Sequence, residues 1–221
     1  KDPSAATRDT RRLMAALLER AGTAPAVKVS AKAGAGHPVG LETFRYTLGE
    51  AELVAVHVNG SVRIENDLSD SGQGVAAAAD LPLDIVFPKK GFVAELRTGK
   101  AYGQTDRVKA ALPKDKPLIF AVLPYEVKGL AVELGGGKIA DGKLAIKVSV
   151  QTEGKAGDHV VHAELTDAKG EVVPESVVNL PLKSGAYEGA IDLSFVPGDG
   201  PWKLKLRDVA SGQTFEAAVS R

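Results

Sequence analysis

Lys143-Leu144-Ala145-Ile146-Lys147-Val148-Ser149-Val150-Gln151 decides the class of this fold. Leu144, Ile146, Val148 and Val150 alternate with Lys143, Lys147, Ser149 and Gln151. A period of two puts one face of a β-strand in a core and the other in water. The rhythm continues on both sides. Residues 130–134, 159–166, 172–178, 187–195, 202–208 and 214–220 read as further strands, about seven in all at sandwich-like spacing. Asp167-Ala168-Lys169-Gly170 suits a type I turn closed by a left-handed glycine. Trp202, Leu204 and Leu206 share one face, with Phe215, Ala217 and Val219 across the next turn.

Moving toward the N-terminus, the stretch 124–129 reads as a boundary, and a second β region precedes it. Phe44, Tyr46 and Leu48 alternate with Glu42, Arg45 and Thr47, which predicts a half-buried strand with the aromatic face inward. Residues 52–58 form a valine-rich strand that is apolar on both faces. Asn59-Gly60 suits a type I′ hairpin, with 61–65 returning and Val62 and Ile64 inward. A loop rich in Asp, Ser, Gly and Ala fills 66–80. Strands follow at 83–87, 92–96, 105–112 and 118–123, with turns expected at Pro88-Lys89-Lys90-Gly91 and Arg97-Thr98-Gly99-Lys100.

The one helix lies near the start, at about residues 9–21. Leu13, Met14, Leu17, Leu18 and Ala21 make an apolar stripe at helical spacing, and Gly22 with Pro25 marks its end. Two partners for that stripe are open: the helix's own domain, or a domain upstream. The expected organisation is a helix and linker over 1–38, a first β domain over 39–126 and a β-sandwich over 127–221. The fold class is mainly β: two tandem antiparallel sandwiches behind one amphipathic helix.

Composition narrows the function. Of 221 residues, 28 are Lys or Arg and 28 are Asp or Glu, so no net charge favours nucleic acid or an anionic membrane. Without cysteine there is no disulfide, zinc knuckle or thiol nucleophile. No apolar run approaches the roughly 20 residues of a membrane span. The chain begins at Lys1 with no signal-peptide pattern, which reads as a processed chain or an excised fragment.

The constellations that could carry chemistry each have a plainer reading. His159 and His162 lie three apart on a predicted strand, so they point to opposite faces and cannot share a metal ion. His37 and His57 show no partner. Gly135-Gly136-Gly137-Lys138 lacks the first glycine, the Ser or Thr and the helix of a phosphate loop. Asp67, Asp70 and Asp80 miss the spacing of a calcium loop. No G-x-S-x-G elbow is present. Glu42, Glu65, Glu95, Glu164, Glu188 and Asp192 fall mostly at outward strand positions, where solvated charges belong. Lys203, Lys205 and Arg207 make a basic stripe that Glu216 and other acids can neutralise. Trp202 is in phase with core leucines and is expected to be buried, while Tyr46, Tyr102, Tyr125 and Tyr187 are scattered. Asn59-Gly60-Ser61 is also a glycosylation sequon. The expectation is therefore no catalytic, cofactor-binding or metal-binding residue, and no cofactor.

Two stretches carry a family likeness. Leu41-Glu42-Thr43-Phe44-Arg45-Tyr46 through Val54-Ala55-Val56-His57-Val58-Asn59, with Phe87-Pro88-Lys89-Lys90-Gly91-Phe92 through Arg97-Thr98-Gly99-Lys100, resembles the small β domain closing bacterial β-galactosidase-like proteins related to glycoside hydrolase family 42. In that family a catalytic barrel and a flavodoxin-like trimerisation domain lie upstream, and a helix like the one ending at Ala21 would close the latter. His159 through Asp167 and Gly200 through Asp208 resemble the immunoglobulin-like or fibronectin-III-like extensions of large secreted bacterial proteins. The resemblance carries over no catalytic residue, because the family's acids belong to the barrel.

Three functions stay open. One is a non-catalytic accessory region of a larger extracytoplasmic, glycoside-hydrolase-like protein, partnered by upstream domains of the same polypeptide. Another is a module that binds a carbohydrate or a cell-surface protein through exposed aromatics or loops. The third is a self-contained hydrolase whose acids converge only in three dimensions.

Overall fold

The computed structural model describes residues 3–23, 25–31, 40–59 and 80–221. The hairpin return at 61–65, His37, Asp67 and Asp70 lie outside them. The protein is mainly β, with several antiparallel sheets and one long helix.

Helix α1 (Pro3–Arg20) begins earlier than its apolar stripe. It ends in a Schellman-type turn: Gly22 takes a φ of +75°, and the Thr23 N–H donates back to the Leu18 carbonyl at 2.9 Å. Among the described residues nothing covers its stripe. Leu13, Met14, Leu17 and Leu18 are all about half exposed or more, so the helix is not packed on the described residues of its own domain.

The first β unit holds β1 (Lys28–Ala31), β2 (Leu41–Leu48), β3 (Ala51–Val58), β4 (Leu81–Glu95), β5 (Lys100–Leu112) and β6 (Leu118–Leu123). Their order is β1-β4-β6-β3-β2, with β5 on the other edge of β4. Strand β1 and the buried Val27 fall inside the stretch read as helix and linker, yet they belong to this unit's sheet and core.

Pro88–Gly91 is not the turn the sequence suggested. Val86 faces Arg107 and Gly91 faces Thr105, so residues 87–90 bulge out opposite Asp106 alone within one continuous strand. Pro88 has no N–H to give the ladder, and a bulge accommodates that where a straight strand cannot. The bulge splits the far edge of β4. Its first half pairs with β1 and its second half with β6, so the sheet folds over a core of Val54, Val56, Ile85, Phe87, Val108 and Phe120.

Strand β2 also departs from its predicted orientation. Phe44 lies opposite Ala55 and Tyr46 opposite Leu53, whereas the core valines Val54 and Val56 lie opposite Arg45 and Thr43. The aromatic face is therefore outward. Arg45 explains this: it holds the buried Glu52 carboxylate with two hydrogen bonds, Nη2 at 2.8 Å and Nε at 2.9 Å. That fork-to-carboxylate pair keeps the polar face of this edge strand on the core side.

The second unit has seven strands in two sheets: β7 (Val127–Leu134), β8 (Lys143–Thr152), β9 (His159–Thr166), β10 (Val178–Leu182), β11 (Ala186–Asp192), β12 (Trp202–Asp208) and β13 (Thr214–Val219). Sheet β10-β9-β12-β13 faces sheet β11-β8-β7. Between them lie the residues that alternation placed inward, among them Leu144, Ile146, Leu204, Leu206 and Trp202. The predicted strand at 172–178 is instead a short 3₁₀ turn, Pro174–Ser176. Pro174 starts that turn, and the buried Ser176 hydroxyl closes it by donating to the Val173 carbonyl at 2.6 Å.

Candidate functional site

A densely hydrogen-bonded polar cluster lies where the two β units meet. It is built from two turns of the same chemistry. In Glu95-Leu96-Arg97-Thr98-Gly99-Lys100, the Glu95 carboxylate accepts from the Thr98 N–H at 2.8 Å and the Thr98 hydroxyl at 2.6 Å. The Gly99 N–H returns to the Glu95 carbonyl at 2.9 Å. In Asp208-Val209-Ala210-Ser211-Gly212-Gln213, Asp208 accepts from the Ser211 N–H at 2.9 Å and hydroxyl at 2.5 Å, and the Gly212 N–H returns to the Asp208 carbonyl at 2.9 Å. Both glycines sit at positive φ, +70° and +77°. Each turn thus needs an acid, a hydroxyl three residues on, and then a residue without a Cβ.

The turns touch. The Arg207 Nη1 donates to the Leu96 carbonyl at 3.2 Å. Around them Ala51, Phe92 and Leu123 of the first unit pack into the apolar core of the second.

Behind Asp208 the network goes deeper. Asp208 Oδ1 lies 2.9 Å from His159 Nδ1, and His159 Nε2 lies 3.1 Å from the Tyr125 hydroxyl. That hydroxyl oxygen accepts from the Gly157 N–H at 2.6 Å. Assigning tautomers from these partners, Tyr125 donates to Nε2 and Nδ1–H donates to Asp208. Burial pushes the Tyr125 hydroxyl up, and the carboxylates of Asp208 and Asp158 add to that, so it stays a donor at neutral pH.

This row superficially matches an Asp–His relay, yet the side chains of His159 and Asp208 have no accessible surface. Ser211 sits on Asp208 rather than on the free imidazole nitrogen, which Tyr125 occupies. In this arrangement no nucleophile is activated and no substrate atom can reach the base. The network's effect is to hold the inter-unit segment at Tyr125 against the second sandwich.

Glu95 corrects the expectation that it faces water. It is 2% exposed, and it also accepts from the N–H groups of Arg97 at 3.3 Å and Ile119 at 3.4 Å. Burial pushes its carboxyl up, but the hydrogen bonds from Thr98, Arg97 and Ile119 together outweigh that and hold it below the usual carboxylate range.

The other singled-out residues do not converge. His159 is buried and His162 half-buried on β9, with His162 Nδ1 2.9 Å from Asn179 Oδ1. His57 has partners that the sequence did not reveal: its ring stacks on Phe44 with centroids 5.4 Å apart, and its Nε2 lies 3.2 Å from Glu42. Lys203 pairs with Glu216 at 3.2 Å and Lys205 with Glu164 at 3.5 Å. Gly136 and Gly137 turn the chain between β7 and β8 at positive φ. Asp80 is exposed. Among the described residues, no group of three His, Asp or Glu side chains is placed to hold a metal, and no helix is long and apolar enough to cross a membrane.

Trp202 is buried as its phase predicted. Among the described residues the exposed aromatics are Phe195, 84% exposed, and, on the outer face of β2, Phe44 at 41% and Tyr46 at 61% beside Leu48. Compared with known proteins, the chain matches no family model and no curated sequence.

Proposed function

We propose that this chain is a non-catalytic accessory region of a larger extracytoplasmic, glycoside-hydrolase-like protein, in which two β-sandwich units brace their neighbours. The observation that carries the reading is the contact between the 95–100 and 208–213 turns, where Arg207 spans the junction to Leu96. Units that only tether a partner do not need such a joint, since flexible association is the default for small inter-domain contacts. The uncovered stripe of α1 supports it too, as a surface for an upstream domain of the same polypeptide. The four-plus-three strand arrangement of the second unit supports the immunoglobulin-like or fibronectin-III-like assignment.

The acids support the non-catalytic part. Both oxygens of Glu95 are occupied by donors, and Asp84 forms an ion pair with Arg107 at 3.1 Å, although the buried Asp84 Oδ1 accepts no hydrogen bond. A glycosidase needs one carboxyl kept protonated near neutral pH, and Glu95 is held the other way. Two measurements test the proposal. Small-angle scattering should fit one fixed arrangement of the two units, and a panel of aryl glycosides should show no turnover. A scattering curve that needs an ensemble removes the bracing reading; enzyme-dependent release of aglycone removes the non-catalytic one.

A second reading rests on Phe44 and Tyr46. Two exposed aromatics on alternate positions of one strand make a platform for a sugar ring or a protein surface. Affinity electrophoresis through polysaccharide gels, with Tyr46→Ala as the comparison, decides it. Retardation that the variant loses supports the platform, and unretarded migration in every gel ends it.

A further inference from the structure

A cavity of about 750 Å³ opens into the first unit, between the end of β1, the start of β4, both ends of β5 and the start of β6. Protein interiors leave few voids larger than a water molecule, and this one has the size of a small-molecule site. Three of its lining residues form one row across three strands. Ala31 on β1 lies opposite Leu83 on β4, and Leu83 lies opposite Ala110 on β5. All three belong to the apolar core of the first unit. Alanine stands on both sides of the leucine, so the row leaves open the volume that larger side chains would fill. Leu118, buried at the start of β6, and Tyr102, edge-on to Phe120, add to the apolar wall.

The charges on the lining stand outside that row and favour neither sign. Side chains alternate along a strand, so Asp84 and Lys109, each next in sequence to a member of the row, project to the opposite face of the sheet. They also lie across the strands from each other, as do Glu95 and Lys100. Each acid thus has a lysine opposite it, and Glu95 is further held by the N–H groups of Arg97, Thr98 and Ile119. A charged guest would leave water for apolar walls and find no unmatched counter-charge there. A sugar would lose the water on its hydroxyls in the same way.

From the Ala31–Leu83–Ala110 row and the balanced charges, we infer that this cavity binds an uncharged, apolar small molecule. The inference rests on neither the Arg207–Leu96 contact that carries the bracing proposal nor the aromatic face of β2, so its failure would leave both standing.

The test uses the whole chain and the uncharged dye N-phenylnaphthylamine, whose fluorescence should rise saturably at one site per chain. Three competitors with one ring system then displace it: 2-naphthylmethanol, 2-naphthoate and 2-naphthylmethylammonium. The alcohol should compete about tenfold more tightly than either ion. Ala31→Leu with Ala110→Leu, which fills the row, should abolish the dye signal while the circular dichroism spectrum stays native. Ala110→Leu alone should already weaken it, which keeps the test decisive if the double variant does not fold. Tyr46→Ser, on the outer face of β2, should change nothing. The assignment is overturned by a dye signal that does not saturate, by an ion that competes as tightly as the alcohol, by binding that Ala110→Leu leaves unchanged, or by a signal lost with Tyr46→Ser.

Discussion

Gly99 and Gly212 face each other across the junction of the two β units, and at Gly212 there is no room for more. A Cβ added to Gly212 would lie 2.9 Å from the Gly99 carbonyl oxygen and 3.2 Å from its Cα, both fixed backbone atoms. Two independent turns have thus brought their one side-chain-free residue to the same place.

Gly212→Ala should therefore cost more than its backbone angle alone. Strain at positive φ is worth about 1–2 kcal/mol, and the clash with Gly99 adds to it. Gly22→Ala is the control, since Gly22 has a similar φ of +75° and nothing within 4 Å. Thermal unfolding should show the larger loss for Gly212→Ala. Equal losses would mean that the junction yields freely.

Removing the Asp208 carboxylate should destabilise the second unit strongly. Asp208→Ala leaves the buried His159 Nδ1–H and both Ser211 donors without their acceptor, a loss of about 3 kcal/mol or more. Urea denaturation followed by Trp202 fluorescence reads this unit directly. A shift under about 0.5 kcal/mol would show that water replaces the carboxylate.

Acid should weaken the protein partly through Glu95. Its folded-state pKa is depressed relative to the unfolded chain, so the stability it contributes is fully present above the unfolded value of about 4.3. That contribution is lost as pH falls through the lower folded value. Glu52, held down first by its Arg45 hydrogen bonds, acts with the same sign. Glu95→Gln should unfold more easily at pH 7 yet lose less stability than the wild type between pH 5 and pH 3. Parallel pH curves for the two proteins would refute this.

Gly91→Ala tests the bulge. A Cβ there would lie 2.7 Å from Val122 Cγ1 and 2.8 Å from the Leu123 carbonyl oxygen. Overpacking of this kind costs about 1–3 kcal/mol. The measurement is the urea midpoint, and an unchanged midpoint would mean that β6 can move aside.

How far the sequence could be read depends on what each residue's partner is. Alternation along β8 and β12 found the second core correctly, because a fully covered sheet face leaves a period of two in its own strand. The same rule failed on β2. Its orientation is set by Arg45 reaching Glu52 across the hairpin, and a charge buried by a partner looks in sequence like a charge in water. Glu95 was misplaced outward for that reason. The Pro88 bulge was misread as a turn because proline and glycine punctuate both. At the junction a local signal did exist: Glu-x-x-Thr-Gly at 95–99 and Asp-x-x-Ser-Gly at 208–212 are the same pattern written twice. That the two copies meet depends on tertiary placement, which no local spacing contains.

Between β6 and β7 only Pro124, Tyr125 and Glu126 intervene, and the middle one is tied by its hydroxyl to Gly157 and His159. A tensile load passing along the chain finds almost no slack there. It would be carried sideways through the phenol into the body of the second sandwich before the segment could lengthen. Pulled from its ends, the protein would behave at this point as a strut rather than a hinge.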